Sequence, residues 1–350
     1  MKKTLFGIFL VVMGLVSCNK NTYDVLIVGG GASGTMAGLQ AARMGSKVMI
    51  AEETVWIGGM LTSAGVSAID GNYRLRGGLF GEFTDALAEH YGGYEALKTA
   101  WVSNIMFEPS VGEAIFEQKV AAEKNITLCK EWRFESAQKT KKGWTVIFST
   151  PEGKKSIDTR ILIDGTELGD VAKACGIKYH IGFDPKSYTG EKMAFEDARN
   201  IVQDLTMVMT LKDYGPGADM TIEKPEGYDI NNYVNCCINP LNTYFEKDQR
   251  QWSPEMMLSY GQLQNGKIMI NWPTEGNDFY ANVIEMNREQ RDSVIAQAKL
   301  RTLGFLYFIQ TELGYKNLGL ADDEYPTEDK LAFFPYHRES RRTEGEYLFT

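Results

Sequence analysis

Three glycines and an acid carry the first chemistry legible in this chain. Gly29, Gly31 and Gly34 stand in the run Gly29-Gly30-Gly31-Ala32-Ser33-Gly34, at G-x-G-x-x-G spacing. Such glycines do separate work: the first permits a tight turn, the second lets the backbone approach a pyrophosphate, and the third lets helix and strand pack closely. Ala32 and Ser33 then open a helix, whose first N–H groups and partial positive charge suit phosphates. Glu52 follows Gly29 by 23 positions, about where a carboxylate accepts hydrogen bonds from a ribose. A negative charge there argues against a 2′-phosphorylated dinucleotide.

The flanking pattern supplies the elements these residues need. Tyr23 to Val28 is a short apolar run rich in β-branched residues, which predicts a buried strand. Thr35 to Met44 reads as a helix ended by Gly45, and Lys47 to Ala51 as a second strand closing on Glu52. Strand, glycines, helix, strand and acid in register distinguish a dinucleotide site from a glycine-rich turn. A nicotinamide enzyme would continue with another helix and strand. Here Trp56-Ile57-Gly58-Gly59-Met60-Leu61-Thr62-Ser63-Ala64-Gly65 follows instead. Gly58, Gly59, Met60 and Thr62 give a loop of small and hydroxylated residues suited to an extended cofactor, FAD rather than NAD.

The run DVLIVGGGASGTMAGLQAARMGSKVMIAEE followed by IGGMLTSAG resembles the FAD-dependent oxidoreductases of the glutathione-reductase-like fold, and more narrowly a bacterial family sharing the Gly-Gly-Met loop. Three later segments resemble the same family. Phe107-Glu108-Pro109-Ser110-Val111 opens a helical stretch running to about Lys124. Ile161 to Asp170 is similar to the family's IDAT-x-x-GD stretch, with Gly165 where Ala is usual. Pro335 to Arg342 resembles its PY-x-RESRR motif. The resemblance covers most of residues 23–180 and 331–350. It implies non-covalent FAD, with Asp164, Thr166, Glu167 and Asp170 near the cofactor or, alternatively, capping a helix, for which Thr166 is a fair N-cap. Related flavin subunits of heterodisulfide reductases carry iron–sulfur clusters. No Cys-x-x-Cys spacing exists here to hold one, and no metal site is expected.

On the substrate side, Arg338, Arg341 and Arg342 are candidates, because guanidinium forks hold carboxylates or phosphates bidentately. The alternative is salt bridging with Glu339, Glu344 and Glu346. His337, inside the motif, is the acid/base candidate; a structural role is the competing reading, and His90 and His180 have less support. Cys236-Cys237 could be a redox pair, although adjacent cysteines rarely reach disulfide geometry. Tyr233, Trp252 and Trp272 are core residues by default, sugar-stacking faces otherwise.

The expected fold class is α/β: a glutathione-reductase-like FAD-binding Rossmann domain with a β-insert and an inserted substrate or cap domain. Ile126–Cys129, Trp144–Ser149 and Asp158–Ile163 are strand candidates at the β-insert position. The FAD-binding part is expected over 19–180, the cap over 181–330, with a helix from Asn287 to Gly314, and a return toward the FAD domain over 331–350. The end at Thr350, directly after the motif that precedes that return in such folds, suggests a fragment. Residues 1–18, a basic start and an apolar run from Leu5 to Val16, form a secretory signal ending in a lipobox-like Leu15-Val16-Ser17-Cys18. Cys18 would carry lipid, placing the chain in a Gram-negative periplasm and touching membrane only through that anchor. Without residues 1–17 the chain has 35 basic against 46 acidic residues, too acidic for nucleic acid. The expected partners are a small-molecule substrate, with a carbohydrate-derived one made plausible by an envelope location, and an unidentified electron acceptor. Rival readings are a non-catalytic or degraded FAD-fold protein, and a polysaccharide lyase without redox chemistry.

Overall fold

The computed structural model describes residues 22–71, 73–242 and 252–347. Cys18 and its apolar run lie outside them. Four parallel strands make the first half of the largest sheet: β1 (Thr22–Val28), β2 (Val48–Ala51), β3 (Ile126–Cys129) and the end of β6 (Gly153–Asp164). The sheet order is β3-β2-β1-β6-β5-β4, where β4 (Arg133–Thr140) and β5 (Gly143–Thr150) continue it antiparallel. β6 does both jobs. Its first half pairs with β5, and from Asp158 onward it runs parallel to β1.

β1 and β2 are apolar on both faces, as central parallel strands must be. Val25 and Ile27 with Val48 and Ile50 pack against α1 (Ala32–Arg43), α2 (Gly78–Tyr91) and α3 (Pro109–Ala121) through Leu39, Leu87 and Phe116. Leu26, Val28, Met49 and Ala51 point the other way, onto Val146, Phe148 and Ile157 of the meander and Val171 of α4 (Asp170–Ala174). The expected α/β class and the strand–helix–strand start are therefore present. Two expectations need correction. Ile126–Cys129 belongs to the parallel side as β3, not to the β-insert. The insert's outer strand is β4, which alternates polar residues on an exposed edge (Glu135, Lys139) and so lacks an apolar run. α2 also goes unannounced in the sequence, because Gly77 and Gly78 at its start look like a loop.

A second body begins after β7 (Tyr179–His180) and the short α5 (Lys186–Thr189). Its strands are β8 (Leu205–Thr206), β9 (Met209–Asp213), β10 (Lys267–Ile270), β11 (Asp278–Phe279) and β12 (Leu318–Leu320), with α6 (Pro254–Ser259) and α7 (Arg288–Thr311). α7 starts on a capping box between Asn287 and Gln290. It buries Phe305, Phe308 and Ile309 in a core with Met209 and Leu211. Two strands from the end of the chain turn back: β13 (Tyr336–His337) pairs with β8 of this body, and β14 (Arg342–Thr343) with β7 just before it. The two bodies are tied where the loop after β2 meets residues 325–333. Trp56 packs against Tyr325 and Phe333, and the Phe333 N–H donates to the Ser63 carbonyl at 2.8 Å. Beneath this seam Lys267 is buried between Glu108 and Glu324, at 2.8 and 2.7 Å.

Candidate FAD-binding site

The turn after β1 is built as its glycines require. Gly29 has φ +95°, and a side chain there would run into the Gly165 carbonyl. Gly34 lies against the Gly29 carbonyl, which is what brings α1 onto β1. Gly31 differs from both. Its φ is −59°, and the nearest atom to an added Cβ, Glu167 Oε1, is 3.5 Å away. A side chain would fit the protein at Gly31 in ordinary van der Waals contact, and the residue lines a cavity. No side chain caps the N-terminus of α1.

A cavity of about 620 Å³ opens over this turn, within the usual range of small-molecule sites. Gly29, Gly31 and Glu52 form one wall, Trp132 and Phe134 another, and Thr166, Glu167 and Asp170 the floor; Arg291 and His337 reach in from the second body. Glu52 is buried and fully engaged on its protein side. Its Oε2 accepts the Gly30 N–H at 2.7 Å, and its Oε1 accepts the N–H and hydroxyl of Thr54. Burial raises its pKa while the three donors oppose the rise. Oε1 already accepts two hydrogen bonds, so Oε2, with one, keeps a lone pair available to a ribose.

The loop after β2 folds back on the first turn. Gly58 donates its N–H to the Gly30 carbonyl, and Gly59, at φ +56°, packs so closely that a side chain would start 2.7 Å from both Gly31 Cα and Glu167 Oε1. Thr62 is buried with its hydroxyl on the Ile57 carbonyl, a bond that shapes the loop. Met60 is 40% exposed, and Ser33 is exposed; neither lines the cavity, nor do Ala32, Gly34, Gly58, Gly59 and Thr62.

The strand-end residues act largely on α4. Asp164 accepts Thr166 and Ala172 N–H groups, and the Thr166 hydroxyl accepts the Asp170 N–H at 2.9 Å. Thr166 thus caps α4 from three residues before its Gly169 N-cap, while also lining the cavity. Asp170 is clamped by Arg291 at 2.6 Å and Arg341 at 2.7 Å, which hold its pKa down against burial. Asp170 therefore remains an anion on the cavity floor.

The three motif arginines go elsewhere. Arg341 has a side chain 1% exposed, and it donates to Asp170, Glu285 and the carbonyls of Leu168 and Ile284. It is a buried staple between the two bodies, outside the cavity, with a first substrate contact blocked by its own partners. Arg342 pairs with Asp184 and Glu339. Arg338 donates to Asp278, Asn271 and the Asp204 carbonyl, and lines a second, smaller cavity of about 180 Å³ with Tyr260 and Tyr336. Alternation along the extended chain explains the split: His337 faces the large cavity, and its neighbours Tyr336 and Arg338 face the small one. His337 is part-buried, and desolvation with the Arg291 charge brings its pKa down to about 4, so it is neutral at physiological pH. Of the other histidines, His180 bonds Asp184 and His90 packs on Tyr91.

Sequence reasoning missed Trp132, Phe134 and Arg291. Trp132 sits past the end of β3, where a third parallel strand, once recognised, would have pointed to the cavity. Among the described residues the four cysteines are free. Cys236 and Cys237 lie buried in the second core with sulfurs 3.6 Å apart, beside Trp272 and away from the large cavity. Tyr233 and Trp272 are buried core residues, and Trp252 stacks on Trp101.

A parallel sheet with a glycine turn, an acid at the end of β2 and an open cavity over both define a Rossmann-like flavoprotein fold. The sequence model of the FAD dependent oxidoreductase family matches residues 24–350, and the chain belongs to that family, whose cofactor is FAD. Solved structures with weaker similarity include a p-nitrophenol 4-monooxygenase from Pseudomonas putida, at 14% identity and TM-score 0.35 over 55% of this chain and 48% of that one. The anhydrotetracycline hydroxylase OxyS from Streptomyces rimosus matches at 16% identity and TM-score 0.36, over 59% and 39%. A flavoprotein/dehydrogenase from Cytophaga hutchinsonii matches at 16% and 0.35, over 55% and 46%. The chain spans less than half the length of each.

Proposed function

We propose that this protein binds FAD non-covalently in the large cavity and oxidises a small organic molecule by accepting a hydride from it. The observation that carries the reading is Gly31: a glycine in a backbone conformation open to any residue, lining the cavity between an uncapped helix start and the buried Glu52. The residues present fit the group. Gly29 and Gly31 with the first turn of α1 would hold the pyrophosphate, and Glu52 a ribose. When bound, FAD supplies the two-electron chemistry through its isoalloxazine. The chain supplies position and dryness: Trp56 and Phe333 close the seam between the bodies, and neutral His337 can accept a proton.

The substrate class is a small polar molecule, with carbohydrate derivatives the first to test. The small cavity at Arg338, Asn271 and Tyr260 begins directly after the Gly58–Gly65 loop, through Val66 and Ala68, and suits such a molecule. The same proposal has the chain exported, lipidated at Cys18, held at the periplasmic membrane and reoxidised by a separate acceptor. The test is the visible spectrum of the full chain, purified in detergent and incubated with FAD. Flavin absorption should follow the protein through gel filtration and be released by denaturation. A chain that retains no flavin would overturn the reading.

A further inference from the structure

Glu167 stands out among the charged groups of the large cavity because nothing in the protein answers it. Among the described residues no N–H, hydroxyl or cation donates to its carboxyl group, although it lines the cavity floor. It also sits at the one place where a cofactor's charge would fall. Its Oε1 is the nearest atom to a Cβ placed on Gly31, at 3.5 Å, and lies 2.7 Å from a Cβ placed on Gly59. Gly31 is the glycine over which a pyrophosphate passes. Two phosphate charges and an ionised carboxylate at that spacing would repel strongly in a poorly solvated cleft.

Building on the FAD reading above, we propose that Glu167 binds the dinucleotide in its protonated form, its carboxyl O–H donating to a pyrophosphate oxygen above Gly31. Binding then takes up one proton whenever free Glu167 is ionised. The surroundings favour this. Burial and the nearby charge of Glu52, at the end of β2, push Glu167 up to about 7 before any ligand arrives. Two cations of the cavity are engaged elsewhere: Arg291 by Asp170, and Arg288 by Glu53 and Asp292. Glu131, Arg133 and the neutral His337 complete the titratable lining of the cavity, and none of them bonds Glu167. A neutral carboxylic acid used as a hydrogen-bond donor in an enclosed site is established chemistry elsewhere.

The test is the affinity of the full chain for FAD, read by quenching of flavin fluorescence from pH 6 to 8.5. Wild-type Kd should be flat at the acid end and rise about 10-fold per pH unit beyond pH 7.5, the slope of a single linked proton. Glu167→Gln, neutral at every pH and still a donor, should bind with a Kd that does not change over the range. A second readout needs no variant: calorimetry at pH 8 in two buffers of different ionisation heat should show uptake of close to one proton. A wild-type Kd equal at pH 6 and 8.5, no proton uptake, or a Gln variant keeping the wild-type slope would each overturn the role of Glu167. Failure to bind FAD at any pH would instead overturn the functional reading beneath it.

Discussion

The carboxylate of Glu52, at the end of β2, accepts the backbone N–H of Gly30 at 2.7 Å. The acid of the fingerprint therefore shapes the glycine turn as well as lining the cavity. Its other oxygen holds Thr54, so one side chain fixes both loops that border the cavity.

Glu52→Ala should loosen both loops and leave the Gly30 N–H without an acceptor. The expected cost is roughly 1–3 kcal/mol in unfolding free energy, with FAD affinity falling about 10-fold or more as a ribose partner is lost. Urea denaturation and flavin titration check the two parts. A variant with normal stability would show that the turn stands without Glu52.

The buried Arg341 joins Asp170 to the more exposed Glu285 and to the carbonyls of Leu168 and Ile284. Arg341→Met leaves Asp170 with Arg291 alone and orphans the Leu168 carbonyl. A loss of about 3 kcal/mol or more is expected, as for other broken buried pairs. If KM for a substrate once identified changed while stability did not, Arg341 would be a substrate group after all.

His337 is neutral in the folded chain down to about pH 4, whereas an unfolded histidine protonates near pH 6.5. Below that value the unfolded state binds the extra proton, so this residue's contribution to stability falls as the pH drops from about 6.5 toward 4. Between pH 7 and 5, wild type should lose roughly 2 kcal/mol more than His337→Asn. Thermal unfolding of both chains at the two pH values gives the double difference, in which the acidic residues common to both cancel. Equal losses would place a proton on His337 in the folded state.

Much of the first body is legible in the sequence because each feature has a local cause. The β1–α1–β2 unit follows from apolar runs and from glycines whose conformations are dictated one residue at a time, and α7 follows from its Asn287 cap. The cavity's opposite walls are not legible in this way. Trp132 and Arg291 reach it only because β3 lies beside β2 and α7 crosses from the second body, and neither juxtaposition has a signature shorter than the fold. The arginine motif shows the limit most clearly. Arg338, Arg341 and Arg342 look alike in a string, but strand alternation and burial send them to three different places.

The central claim is that FAD crosses Gly31, and Gly31→Ala tests it with little ambiguity. The backbone there accepts alanine and the added methyl meets nothing closer than 3.5 Å, so the ligand-free chain should melt at the wild-type temperature. FAD affinity should nevertheless fall about 10-fold or more, since the methyl fills the space the pyrophosphate needs. A variant that folds normally and binds FAD as tightly as wild type would contradict the account.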